Sequence, residues 1–394
     1  MHSSCPEHEI LFGAGRREVD LERLRAQVKQ VGDWDYLLNT ANVHGLTPLL
    51  HKQLHSFADD LTPVNVLSRL KLQSVANTQN VLHLVGKQLK LYRAFKDENI
   101  PVAILKGSVL AQMAYGDLSL RHAGDIDVLI TRADFNRAKT TLEALGYQMT
   151  PSLTPAHLAS HVRSHCEIQF VRDDWFTVVD LHWALAPKNF VFKLETDEVM
   201  SRLQRVTVAG TEIETLATED LILYLAMHGA KHLWRALEWI TSLAELIRNA
   251  DPIAWDVVVE RAEKAHATRM LGLALRLVEK VSGPGIVPPA LDAMIKDDSM
   301  ETMADEVLSQ IFDVARPAVS TETNLYNLKI MDHKRDALVS ALRAVFVPTL
   351  TDWDSLSLPA SLHSLYYAYR PLRLSKVYTT SLWRKLSSRG AACL

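Results

Sequence analysis

Gly107-Ser108, where an apolar run gives way to a helical pattern, is followed eighteen residues later by Asp125-Ile126-Asp127, and this pairing constrains the chain more than any other feature. Val102, Ala103, Ile104 and Leu105 form a short apolar run after Pro101, and Val109, Leu110, Met113 and Ala114 then recur at helical spacing. The reading is strand, tight turn, helix. Glycine lets the backbone approach a phosphate closely at such a turn, while the unpaired amides and positive dipole end of the new helix favour an anion. Ser108 offers a hydroxyl donor and Lys106 a positive charge.

The segment Asp125-Ile126-Asp127-Val128-Leu129-Ile130 alternates acid and apolar residue before turning wholly apolar. Side chains at i and i+2 of a strand share a face, so the carboxylates project together while Ile126 and Val128 turn inward. Such close aspartates repel one another unless a cation lies between them, and hard oxygen ligands suit Mg2+ or Mn2+. A divalent ion held this way also grips substrate phosphates. A lone D-x-D also occurs on solvated strand edges and in glycosyltransferases that bind nucleotide sugars, where an apolar strand leads into the acids. Here polar Arg121-His122-Ala123-Gly124 precedes them and the apolar run follows. That order sets the acids at the start of the strand, as in polymerase-β-like nucleotidyltransferases.

Taken together, Leu105-Lys106-Gly107, Tyr115-Gly116-Asp117, Arg121 and Asp125-Ile126-Asp127-Val128-Leu129 resemble the uncharacterised bacterial nucleotidyltransferase family of the polymerase-β superfamily. Val179-Asp180-Leu181-His182-Trp183, His228 through Trp234, and Leu358-Pro359 through Arg370-Pro371 extend the likeness over most of the chain. The resemblance implies an α+β fold: a polymerase-β-like core, with a small mixed sheet and helices, flanked by N-terminal and C-terminal helical regions. It implies transfer of an NMP from an NTP donor to an unidentified acceptor with release of pyrophosphate, dependent on Mg2+ or Mn2+. The acceptor is left open among small molecules, peptides and proteins.

The resemblance also implies a third carboxylate on a neighbouring strand. Cys166 to Val171 and Thr177 to Trp183 read as strands flanking the polar turn Arg172-Asp173-Asp174-Trp175. Asp180 is the family-implied third metal ligand and base toward the attacking group, with His182 on its face, and Glu167 on the partner strand is the rival. Asp125, Asp127 and Asp180 are thus the expected catalytic and metal-binding set. Lys106, Gly107, Ser108, Arg121 and Lys231 are the expected nucleotide-binding residues. Lys231 enters by similarity to helix lysines of related enzymes, on a helical pattern from Ala217 to Arg248 where His228, Lys231, His232 and Arg235 make a basic stripe. His228 and His232 have zinc-like i, i+4 spacing, but no HExxH pattern accompanies them. One departure from relatives stands out: Ser242 occupies a position where they tend to carry aspartate, which bears on the acceptor rather than on the metal acids.

With 394 residues, 48% hydrophobic and 23% charged, the chain can bury ample core. It divides into an N-terminal helical region over 1–99, a catalytic core over 100–214 and a C-terminal helical domain over 215–394. A net charge of -3 gives no global attraction to long nucleic acid. Cys5, Cys166 and Cys393 suggest neither a disulfide framework nor a zinc knuckle, no run reaches bilayer-spanning length, and the first residues lack an apolar signal core. The expected setting is a reducing cytoplasm.

Two histidine and aromatic features stand apart. His157, His161 and His165 recur at i, i+4 and i+8 from a short helix into a strand. After Asp354 no acid occurs, while Arg370, Arg373, Lys376, Arg384, Lys385 and Arg389 accumulate among Tyr366, Tyr367, Tyr369, Tyr378 and Trp383. Such a segment either meets an anionic partner or packs its aromatics on its own domain and leaves the charges solvated. The alternative function is a nucleotide-binding regulatory or scaffold protein that keeps the fold with little turnover.

Overall fold

The apolar run after Pro101 becomes strand β1 (Val102–Ile104), and Ser108–Tyr115 is the helix expected after the glycine turn. The structure is a computed structural model that describes residues 5–377 except 17, 173–176, 251, 314–325 and 357. The further strands are β2 (Ile126–Ile130), β3 (Gln148–Thr150), β4 (Glu167–Arg172), β5 (Thr177–His182), β6 (Gln204–Val208) and β7 (Thr211–Thr215). They form one seven-stranded mixed sheet in the order β3-β4-β5-β2-β1-β7-β6. β2 pairs antiparallel with β1 and parallel with β5, and β4 pairs antiparallel with β5. The expected α+β architecture holds, with helices on both the N-terminal and C-terminal sides of the sheet segment.

Strand alternation gives the central strands two different faces. Ile126, Val128, Ile168, Phe170, Val179 and Leu181 join one buried cluster with Val81, Leu84, Val85, Leu91 and Phe95 of the long helix Val64–Asp97. Those helix positions follow i, i+3, i+4 spacing, so the second half of the helix lays one stripe on the sheet. Its first half turns elsewhere: Val66 and Leu70 pack into a second cluster with Leu50 and Leu54. Leu72 and Leu82, apolar in the sequence pattern, fall off both stripes and are exposed.

The opposite face meets that second cluster, in which Ala103, Leu105 and Leu129 pack with Leu221, Tyr224 and Leu225 of helix Thr218–Lys231. The helical pattern expected from Ala217 to Arg248 is broken. Leu233 and Trp234 adopt positive φ of 60° and 49°, and a new helix runs from Leu237 to Asn249. No glycine or proline marks this break. It follows from packing, because the Trp234 ring lies against Gly229, where an added Cβ would come within 2.6 Å of the indole. Arg235 therefore leaves the helix, and the basic stripe stops at its end.

The hairpin β6–β7, turning at Ala209-Gly210, completes the sheet. Among the described residues, no helix is long and apolar enough to cross a membrane.

Candidate active site

The polar face of β2, β5 and β4 gathers most of the expected residues. Asp127 stands opposite Asp180 in the parallel β2–β5 register, and Asp180 stands opposite Gln169 across β5–β4. Two residues further on, His182 stands opposite Glu167. Asp125 immediately precedes β2, so it shares the side of Asp127. One sheet face thus carries Asp125, Asp127, Asp180, His182, Glu167 and Gln169, while the intervening residues are the apolar set of the opposite face.

Lys106 follows β1, whose antiparallel pairing with β2 brings its end to the start of the acid strand. Its Nζ lies 3.0 Å from Asp127 Oδ2 and 3.8 Å from Asp125 Oδ2. Burial alone would lower the lysine pKa, but the two carboxylates outweigh it and raise the value, so the ammonium is held charged. A cation therefore sits between the aspartates, as their mutual repulsion requires.

Asp127 is buried, and its Oδ1 lies 3.2 Å from His182 Nε2. The other imidazole nitrogen, Nδ1, is 3.1 Å from Glu167 Oε2. Burial would raise the Asp127 pKa, yet Lys106 and His182 outweigh it and hold the carboxyl at about 2. Burial would lower His182, but its hydrogen bonds to Asp127 and Cys166 and the charge of Glu167 push it up to about 10. The result is a charged Asp127–His182–Glu167 chain running across three strands. His182 shares the face of Asp180 by the i, i+2 rule, but its link to Asp127 depends on which strand neighbours β2.

Asp180 is the uncompensated member. Burial first, and then the charge of Asp127, push its pKa up to about 6. Its Oδ1 is buried with no hydrogen-bond partner. Asp127, Asp180 and His182 each offer a ligand atom within 4.8 Å of the others. An orphaned carboxylate oxygen beside two more aspartates, with a lysine supplying the local positive charge, is a donor set that fits a hard divalent cation.

The glycine turn stands beside these acids. Gly107 has φ 65° and ψ -121°, a backbone conformation that favours glycine, and it forms the N-cap of helix Ser108–Tyr115. Its neighbours include the Asp125 carbonyl. Ser108 is buried, and its hydroxyl exchanges hydrogen bonds with Gln88 at 2.8 and 3.0 Å, which pins the turn to the long helix. Arg121 is also buried; its Nε is 2.9 Å from Glu238 Oε1. Burial pushes Glu238 up to about 7 against the opposing charges of Arg121 and Lys106. Neither Glu238 nor Gln88 carries a sequence signal for a site, since both read as ordinary helix positions. At Ser242 the hydroxyl is 3.3 Å from the Tyr115 hydroxyl.

Lys231 and the Gly107-Ser108 turn line different cavities. Lys231 lines a cavity of about 400 Å³ together with Glu167 and Gln169. The histidine series borders the same cavity: His161 and His165 stack at 4.1 Å, and His157 stacks on Trp353 and His363 instead. The basic C-terminal segment is partly tied down, because Arg370 and Arg373 both pair with buried Asp352 and Tyr366 is buried. Tyr378, Trp383, Arg384, Lys385 and Arg389 lie outside the described residues, as does the turn Asp173-Asp174-Trp175.

A family model described as an uncharacterised nucleotidyltransferase matches residues 30–283. Two solved structures are similar to the chain. The antibiotic-resistance factor ANT(2'')-Ia shares 17% identity over 48% of this chain and 92% of its own, with a TM-score of 0.33. An antigenic nucleotidyltransferase-like protein from Paracoccidioides brasiliensis shares 15% identity over 54% of this chain and 92% of its own, also with a TM-score of 0.33. A comparison with curated proteins finds no match.

Proposed function

Because the chain belongs to the uncharacterised nucleotidyltransferase family, we propose that it transfers an NMP from an NTP to a hydroxyl or phosphate acceptor and releases pyrophosphate. The observation that carries this reading is the convergence of Asp127 and Asp180 across the β2–β5 ladder with Asp125 and Lys106 beside them. Asp125, Asp127 and Asp180 would hold Mg2+ or Mn2+. When bound, the metal supplies positive charge to the donor phosphates.

The residues divide the remaining work. Gly107 brings the amides at the start of helix Ser108–Tyr115 toward the β and γ phosphates, while the Ser108 hydroxyl fixes the turn through Gln88. Lys106 balances the acids and offers its charge to the phosphates as pyrophosphate leaves. Arg121, braced by Glu238, adds a second positive charge on that flank. His182 occupies Oδ1 of Asp127 and so fixes the direction of Oδ2, the oxygen that a metal would share with Lys106. Asp180, opposite Asp127 on the β5 side of the site and with an unpartnered Oδ1, is placed to take the proton of an attacking hydroxyl.

A thermal-shift titration tests the reading. Wild type and the Asp125→Asn/Asp127→Asn double variant are titrated with each of the four NTPs, with and without Mg2+ or Mn2+. One NTP should stabilise wild type only in the presence of metal, by about 2.7 kcal/mol at a hundred times its dissociation constant. The double variant should show no such shift. Equal stabilisation of both proteins would remove the metal acids from nucleotide binding, and the scaffold reading would take its place.

A further inference from the structure

The cavity beside Glu167 and Gln169 has a size, a position and a charge that the donor site does not use. At about 400 Å³ it falls in the range of small-molecule sites. Its sheet wall is continuous with the carboxylate cluster, because Asp127, Asp180 and Gln169 are successive rungs on three neighbouring strands. Two strand spacings put Gln169 about 10 Å from Asp127. The glycine turn lies on the other flank, at the end of β1, which pairs with the opposite edge of β2.

The chemistry of nucleotidyl transfer gives these flanks different tasks. The attacking oxygen and the leaving pyrophosphate must lie roughly in line on opposite sides of the α-phosphorus. With the pyrophosphate on the Gly107 flank, attack comes from the β5–β4 flank, where the cavity lies. There the acceptor hydroxyl oxygen bonds to the α-phosphorus and the bond to the bridging oxygen breaks. Pyrophosphate departs with that electron pair, and the hydroxyl proton passes to the Asp180 carboxylate.

The charge of the lining selects the class of acceptor. Glu167 faces the His182 imidazole, whose one positive charge it shares with Asp127. Arg370 is committed to Asp352 at 2.7 Å and to the Ala344 carbonyl. Arg343 donates to the neutral Lys188 carbonyl at 2.7 Å, and Lys231 looks across at Glu167 from the end of its helix. His165 is neutral at pH 7, since burial first and then His161 push its pKa down to about 4. The lining sets Lys231, Arg343 and Arg370 against the single acid Glu167, so even with Arg370 committed to Asp352 the positive charge of Lys231 and Arg343 exceeds it. We infer that this cavity is the acceptor pocket and that the acceptor is a small molecule with an anionic group, phosphate or carboxylate, held by Lys231 and Arg343. Polycationic acceptors are disfavoured by the same charge.

This inference rests on the transfer reaction proposed above, and the test separates the two. Inorganic phosphate is titrated in EDTA, by calorimetry, into wild type, Arg343→Ala, Lys231→Met and Asp125→Asn/Asp127→Asn; the NTP thermal shift with Mg2+ is measured on wild type and Arg343→Ala. Phosphate should bind wild type and the double variant alike. Binding should fall about tenfold in Arg343→Ala and in Lys231→Met, the scale of one charge-assisted hydrogen bond. Arg343→Ala should keep the metal-dependent NTP shift, and because Arg343 is exposed its removal leaves the core intact. Phosphate binding that is absent from wild type, or unchanged in both cavity variants, overturns the inference, as does loss of the NTP shift in Arg343→Ala. If wild type shows no NTP shift yet phosphate still depends on Arg343 and Lys231, the anion site stands while the transfer reaction fails.

Discussion

On one face of β2, β4 and β5, Ile126, Val128, Ile168, Phe170, Val179 and Leu181 are buried against the long helix; on the other, the same strands carry Asp127, Glu167, Asp180 and His182. The alternation that builds the first face builds the second. The apolar face gains free energy from every side chain it removes from water. The polar face buries charge, which is unfavourable unless each charge has a counterpart. Lys106 and His182 provide it for Asp127, whereas Asp180 Oδ1 has no hydrogen-bond partner and the charge of His182 offsets its burial only in part. This sheet holds an unfavourable constellation in place by packing its other side, and the acid with the unpartnered oxygen is the one next to the proposed reaction.

Either face can be perturbed without the other. Phe170, 0% exposed, should give the largest effect: Phe170→Ala is expected to lose about 3–5 kcal/mol in urea denaturation while the folded fraction keeps its NTP affinity. A loss of affinity without a loss of stability would show that the faces do not divide the labour this way. His182→Gln removes one partner of a buried ion pair and should cost roughly 3 kcal/mol; Mn2+ affinity should fall with it, because Asp127 loses its fixed orientation. Retained Mn2+ affinity would reduce His182 to a structural role.

Gly107→Ala is expected to be milder, about 1–3 kcal/mol from backbone strain at φ 65°. It should abolish the NTP shift but leave Mn2+ binding alone, and a normal NTP shift would remove the turn from the phosphate site. The smallest effect concerns pH. Asp180 has a folded pKa of about 6, above its ordinary value, so its ionisation weakens the fold progressively between about pH 4 and pH 6 and fully above that. Asp180→Asn escapes this penalty. In EDTA it should gain roughly 1 kcal/mol over wild type at pH 7.5, discounted for its partial exposure, and almost nothing at pH 4. A gain independent of pH would mean that the shift arises elsewhere.

What could be read from the sequence was local. Val102 to Ala114 and Asp125 to Ile130 define the strand, the turn and the acid strand through neighbouring residues alone, and the β4–β5 hairpin shows through its polar turn. Asp180 could be nominated from a family pattern, and the β2–β5 register puts it opposite Asp127. The Asp127–His182–Glu167 chain could not be read, because it requires knowing that β5 lies beside β2 and in which register. The helix break at Leu233-Trp234 was equally hidden, since the fit of an indole against Gly229 causes it rather than a breaker residue. Lys231 had the spacing of a phosphate-binding stripe, but its position beside Glu167 depends on how helix Thr218–Lys231 crosses the sheet.

Whether Asp125, Asp127 and Asp180 form one divalent-cation site is decided by Mn2+ electron paramagnetic resonance titrations. Wild type is compared with Asp127→Asn and Asp180→Asn, each with and without the stabilising NTP. Wild type should bind Mn2+ more tightly with NTP than without, and both variants should bind it far more weakly. Mn2+ binding of equal affinity in all three proteins would contradict a shared site.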